Sequence, residues 1–257
     1  MGVPGRAFRF RDDGSVQGTE RKACLSLIHI SVLPARLEVV IVVKYRLEFS
    51  KTGETKFVSH LDLVRLFSRV FKRAELPLAY SEGFNPHPKM SIGIPLSVGV
   101  TSECELLDAE FHAEVDAEEV KERLNAVMPL GIAITKVRQL ETGAAKLSSV
   151  AWARYRVVLH GAGVSEQELA DFLARDTIEI EKKTKRSEKL TDIKPDIASV
   201  RRTEASALEM ELATGSAANL KPDVVLGAMR LYIPGFVPED WDIHRLRMSD
   251  GQGGALI

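Results

Sequence analysis

The sequence predicts an α+β protein: two tandem ferredoxin-like (βαββαβ) units packed together, preceded by a poorly ordered N-terminal extension. Three observations carry this. Strand-length segments alternate apolar and polar residues, stretches with helical spacing separate them, and the order strand–helix–strand–strand–helix–strand over 43–140 recurs over 151–248. The recurrence is one of element order and not of residues. A chain of 257 residues has room for two such domains.

Residues 1–42 read as an extension or a mis-called start. The first part is polar with mixed charge, and the apolar stretch that follows is broken by Pro34, Arg36 and Glu38. That interruption argues against a membrane-spanning helix, and the late apolar segment fits a signal peptide poorly.

From Val42 the pattern becomes regular. Lys44–Phe49 alternates as a half-buried strand, and Lys51–Glu54 is a turn. Ser59 is placed to cap a helix and Asp62 to reach back to it. Leu63, Phe67, Val70, Phe71 and Ala74 form the inner face, and Pro77 ends the helix. Met90–Leu96 and Cys104–Glu114 read as strands, Asp116–Val127 as a helix, and Ile132–Leu140 as the closing strand. Glu141–Ala145 is a linker. In the second unit, Ala153–His160 and Thr177–Lys183 read as strands on either side of a helix over Ser165–Ala174. Ile193–Arg202 and Ala207–Ala213 pair as a hairpin, Lys221–Met229 begins a helix and Trp241–Met248 is the last strand. Residues 249–257 read as a frayed tail.

The net charge of −1 excludes a globally basic nucleic-acid coat, so any polyanion site must be local. Only Cys24 and Cys104 are present, which excludes a disulfide framework and suits a reducing cytoplasm. Walker, dinucleotide-binding, H-E-x-x-H and G-x-S-x-G patterns are absent from the sequence.

The densest chemistry is Tyr80-Ser-Glu-Gly-Phe-Asn-Pro-His-Pro-Lys89. Prolines on both sides of His87 and a glycine before Phe84 give the loop a defined path. Held there, His87 suits acid–base work or orientation of a ligand, while Tyr80 and Phe84 could stack on a base. Glu82, Asn85 and Lys89 add polar groups, although Glu82 and Lys89 could equally pair at the surface. Ser59, His60 and Asp62 stand at a helix N-terminus, where anions are favoured, with Arg65 and Arg69 on following turns. Capping alone also explains Ser59 and Asp62. Arg65, Arg69, Lys72 and Arg73 form a cationic stripe that is either a solvated face or a phosphate-binding one.

A second basic run holds Lys182, Lys183, Lys185, Arg186, Lys189, Lys194, Arg201 and Arg202 against Glu188, Asp192 and Asp196. On a hairpin it suits a nucleic-acid backbone; a lysine-guarded sheet edge is the plain alternative. His60, His87 and Tyr80 are the candidate catalytic groups for an endoribonuclease-like activity. A third possibility is that the loop is purely structural, serving assembly. No metal ligand set is evident near either histidine.

Ser59-His60-Leu61-Asp62, Ala79–Lys89 and Ile94-Pro-Leu-Ser-Val-Gly99 together resemble the radical-SAM-associated (radical-SAM-linked) proteins, a bacterial domain family of unknown function. The resemblance covers about 43–248 and includes Lys194-Pro195. It implies a separate radical SAM protein as partner, and an RNA or ribosome-related particle as what the pair serves. The chain has no cluster-binding cysteine motif of its own, so it implies no cofactor here.

Overall fold

The computed structural model describes residues 42–257, apart from 162, 184–187 and 216; all of the expected extension but Val42 lies outside the described residues. Ten strands and four α-helices follow in order. They are β1 (Val43–Lys51), α1 (His60–Arg73), β2 (Met90–Ile92), β3 (Thr101–Phe111), α2 (Ala117–Asn125), β4 (Ile132–Leu140), β5 (Val150–Gly161), α3 (Glu166–Leu173), β6 (Glu179–Lys183), β7 (Glu188–Asp192), β8 (Ile197–Glu204), β9 (Ala207–Ala213), α4 (Pro222–Tyr232) and β10 (Pro238–Asp250).

Eight strands form one mixed sheet in the order β4-β1-β3-β10-β5-β9-β8, with β2 also paired to β3; β6 and β7 form a separate two-stranded ribbon. Two units packed together are the sequence expectation. The structure instead runs one sheet through both halves, joined where β10 lies parallel to β3 at His244–Thr101 and Arg245–Ser102. The other pairings in this sheet are antiparallel.

That junction explains the shortness of β2. Its residues pair with Leu107–Ala109 of β3, and β10 occupies the same strand farther back, at Thr101 and Ser102. Pro95 offers no N–H to a ladder either, so the strand expected to run to Leu96 stops at Ile92.

Strand alternation then divides β3 between two cores. Leu107, Ala109 and Phe111 pack with Tyr45, Leu47 and Phe49 of β1 against Phe67 and Phe71 of α1 and Leu124 of α2. Cys104 and Leu106, on the other face, join the core built by β5, β9, α3 and α4 around Val157, Leu208, Met210, Leu226 and Met229. The aromatic pairs Phe49–Phe67 and Phe71–Phe111 meet edge to face at 4.9 and 6.0 Å.

The expected frayed tail is docked. β10 continues to Asp250, whose Oδ1 accepts from the N–H groups of Gln252 and Gly254 and turns the chain back. Leu256 is then buried, and its carbonyl accepts from Arg46 and Arg138 at 3.2 and 2.8 Å. This explains how Arg46, in the middle of β1, can be buried: Asp108 accepts both its Nε and Nη2 at 2.7 Å.

Candidate functional site

The Tyr80–Lys89 loop leaves α1 and returns to β3 at Glu110. Its base is a small ladder: Ala79 N–H donates to Glu110 O at 2.7 Å, Lys89 N–H to Ala79 O at 2.8 Å, and Glu110 N–H to Lys89 O at 2.9 Å. One step farther out, Ser81 N–H donates to His87 O, and His87 N–H donates to Ser81 Oγ, both at 2.9 Å. Ser81 therefore closes the loop from both sides. The Glu82–Pro86 tip turns through Gly83 at φ +118°, a conformation that a side chain would strain. Phe84 at the tip is fully exposed, at 105% of its reference area, and Tyr80 is 44% exposed. Glu82, Asn85, His87 and Lys89 also face solvent. Lys89 is drawn toward Glu110, at 3.8 Å, a carboxylate it shares with Lys44 at 2.9 Å.

At the start of α1, Ser59 caps as the sequence suggests. Its Oγ accepts from Asp62 N–H at 3.2 Å and donates to Asp62 Oδ2 at 2.8 Å, while Arg65 donates to Asp62 Oδ1 at 3.0 Å. The Ser59 hydroxyl, and after it Arg65, hold the Asp62 carboxyl below the usual aspartate range. Ser59 and Asp62 are thus engaged with each other, and Arg65 with Asp62. His60 is partly buried and, like His87, its ring makes no hydrogen bond among the described residues. Neither imidazole has a group that orients it for proton transfer. Arg69, Lys72 and Arg73 are exposed without an ion pair among the described residues. Arg69 and Arg73 flank a shallow cleft floored by Leu66, Val70 and Met128.

The second basic run is spread over three elements. Lys182 and Lys189 stand opposite each other in register on the β6–β7 ribbon; the side chains of Lys182, Lys185 and Arg186 lie outside the described residues. Lys194 follows the ribbon and donates to the carbonyl of Leu173, the last residue of α3, where a cation offsets the helix dipole. Arg201 on β8 pairs with Glu209 on β9 at 2.6 Å. Lys194 and Arg201 thus already have structural partners.

Sequence reasoning missed a buried ionic cluster at the β3–β10 junction. Lys51, Glu105 and Arg245 come from three neighbouring strands and are only 2–3% exposed. Arg245 Nη1 donates to Glu105 Oε1 at 2.9 Å, and Lys51 Nζ donates to the carbonyls of Val58 and Lys56 at 3.0 and 3.3 Å. Burial is the largest influence and opposes the charge on Arg245, but Glu105, Tyr155 and Cys104 together outweigh it, and the pKa lies above the ordinary arginine value. Burial lowers the pKa of Lys51, an effect that Glu105 opposes and Arg245 reinforces. The signal was available: Glu105 shares its alternation phase with Leu107, Ala109 and Phe111, and Arg245 shares its phase with Ile243. Beside the cluster, burial pushes the Cys104 thiol up to about 12, so it stays protonated and unreactive at neutral pH.

Among the described residues, no group of three or more histidine, cysteine or acidic side chains could hold a metal ion, and no helix is long and apolar enough to cross a membrane.

Comparison with known proteins gives one family and several remote structures. A crystal structure of a Cbf5–Nop10–Gar1 complex matches at TM-score 0.41 and 12% identity, over 79% of this chain and 48% of that one. An archaeal box H/ACA sRNP Nop10–Cbf5 complex matches at TM-score 0.36 and 10% identity, over 78% and 46%. The chain thus spans about half the length of each. An unknown protein from Galdieria sulphuraria matches at TM-score 0.24 and 12% identity, over 80% and 99%. No curated protein matches. The profile of the family described as uncharacterized proteins conserved in bacteria, DUF2344, matches residues 44–222. The chain belongs to the DUF2344 family.

Proposed function

We propose that this protein is a cytoplasmic accessory protein of a separate radical SAM enzyme, and that it recognises RNA or a ribonucleoprotein through the Tyr80–Lys89 loop and the outer face of α1. One observation carries the recognition part: a fully exposed phenylalanine at the tip of a loop whose ends are tied by backbone hydrogen bonds. An aromatic ring held in water contributes nothing to the core, yet offers a flat face on which any base can stack. Because the loop is already closed, little conformational entropy remains to be lost on binding. Arg69, Lys72 and Arg73 supply cations for phosphates at a nearby point in the chain. The radical SAM partner is supported by the sequence resemblance carried by Ser59–Asp62, Ala79–Lys89 and Ile94–Gly99.

We also read each half as a ferredoxin-like unit. The strand orders β4-β1-β3-β2 and β10-β5-β9-β8 both place the last strand beside the first, then the third, then the second, once β6–β7 is treated as an insertion. That order supports the tandem reading of 43–140 and 151–248 within the shared sheet.

Binding of a fluorescent single-stranded RNA, followed by anisotropy over a salt series, tests the recognition reading. Replacing Arg69 and Lys72 with Gln should weaken binding across sequences and flatten the salt dependence by about one ion for each phosphate no longer neutralised. Capture of the radical SAM partner, with and without ribonuclease, tests the partnership. A protein that binds neither partner nor RNA would remove the basis of the reading.

A further inference from the structure

Pro195 plays no part in the loop-and-stripe reading, yet it stands on the wall of a cavity at one end of β5, β9 and β8. The cavity holds about 410 Å³, a size ordinary for small-molecule sites, and Trp152, Asp196, Ala213, Thr214 and Gly251 line it with Pro195.

Strand register opens this space. Trp152 of β5 pairs with Ala213 of β9. Leu212, the residue before Ala213, pairs with Ile197 of β8, the residue after Asp196. Ala153, Leu212 and Ile197 pack on the core, so alternation puts Trp152 and Ala213 on the opposite face. The backbones of β5 and β8 lie two strand spacings apart, about 10 Å, and only the methyl group of Ala213 rises from β9 between them. An aromatic ring and a carboxylate thus share a cavity across a small residue.

The polar groups on this wall are unmet among the described residues. The Asp196 carboxylate is partly buried, with no ion pair and no hydrogen bond, and the Trp152 indole N–H has no acceptor. Thr214 is 0% exposed; its backbone N–H donates to Ala151 O at 2.8 Å, but its hydroxyl has no partner. A buried hydroxyl left alone is costly, and most such groups have a partner.

We infer that this cavity binds a guanine base, stacked on Trp152, with its N1–H and exocyclic amino group donating to the Asp196 carboxylate. A flat gap beside an indole selects a planar ring. The carboxylate, which only accepts, then selects a ring edge with two neighbouring N–H donors. Guanine presents such an edge. Adenine and cytosine set an acceptor nitrogen beside their amino group, and uracil sets carbonyls on both sides of its N–H. The Trp152 N–H and the Thr214 hydroxyl remain for the base carbonyl or an attached ribose, for which the cavity has room. The site shares no residue with the Tyr80–Lys89 loop or α1, so its failure would leave RNA recognition there untouched.

The test is a titration of the full chain with guanosine, adenosine and xanthosine, read by quenching of tryptophan emission. A short oligouridylate with and without one central guanosine separates a free nucleoside from an unpaired base of RNA. Guanosine should quench and bind about tenfold more tightly than adenosine. Trp152→Phe, which keeps Trp241, should lose the quench. Asp196→Asn turns one acceptor into a donor, so it should weaken guanosine about tenfold and favour xanthosine, whose carbonyl replaces the exocyclic amino group. A merely structural aspartate would not exchange that preference. Both positions are partly exposed, so both variants should fold. Binding of guanosine itself assigns the site to a nucleoside. Binding of the guanine-bearing oligonucleotide alone, lost in Asp196→Asn, assigns it to a base of RNA. No preference for guanine in either arm, a quench retained in Trp152→Phe, or binding unchanged in Asp196→Asn would overturn the inference.

Discussion

Between first helix and outer strand, the N-terminal half carries a tied loop, Ala79–Lys89, and the C-terminal half carries the β6–β7 ribbon. Elsewhere the halves follow one strand plan, each with two helices and its own core. The outer strands differ in step with the insertions. β2 has three residues, because β3 must also pair with β10, while β8 has eight and lies at a sheet edge. The difference teaches where such a scaffold can add function. A connection at the sheet margin can be lengthened without changing the strand order, and it places polar groups in solvent.

The largest effects should come from asking whether the two cores are one cooperative system. Phe71→Ala in the first core should cost about 3–5 kcal/mol, and Leu226→Ala in the second about 2–5 kcal/mol. Because β3 contributes to both, each variant should unfold in denaturant as a single transition seen alike by fluorescence and circular dichroism. Two separated transitions would break the shared-sheet account. Next comes the junction itself. Glu105→Gln removes the carboxylate between two buried cations and should cost about 3–5 kcal/mol, measured by the same denaturation.

A smaller contrast lies in the helix caps. Ser165 makes a full capping box, its backbone N–H also donating to Glu168, whereas Ser59 meets Asp62 through its Oγ alone. Ser165→Ala and Ser59→Ala should each cost about 1 kcal/mol in denaturant, with the Ser165 variant the more damaging. The hydroxyls of Ser165 and Ser59 hold the carboxyls of Glu168 and Asp62 below their ordinary values. Stability from these caps is therefore present above the unfolded carboxylate pKa, about 4, and is lost as pH falls through the lower folded values. A pH series of melting temperatures on wild type and the two alanine variants should converge at the acid end.

Much of the fold is legible in the sequence because periodicity survives where one face of an element is buried. Leu63, Phe67, Val70 and Phe71 mark α1, and the alternation of Lys44–Phe49 marks β1. Three features are hidden for physical reasons. The end of β2 is set by competition with β10 for an edge of β3, which local pattern cannot reveal. The docking of the last residues depends on Arg46 and Arg138 donating to a carbonyl more than a hundred residues away in sequence. The basic run reads as one hairpin, but Lys194 stabilises the end of α3 and Arg201 meets Glu209 across strands. At the site, composition and the two prolines locate the loop, while the role of Ser81 in closing it emerges only in three dimensions.

On the proposed reading, the Tyr80–Lys89 loop displays its aromatic tip for binding and not for folding. The most direct measurement pairs denaturation with RNA anisotropy on Phe84→Ala. Stability should stay within about 0.5 kcal/mol of wild type, because the ring touches no core. RNA affinity should fall by an amount equivalent to about 1–3 kcal/mol, the worth of one stacked base. Unchanged affinity, or a large loss of stability, would contradict the account.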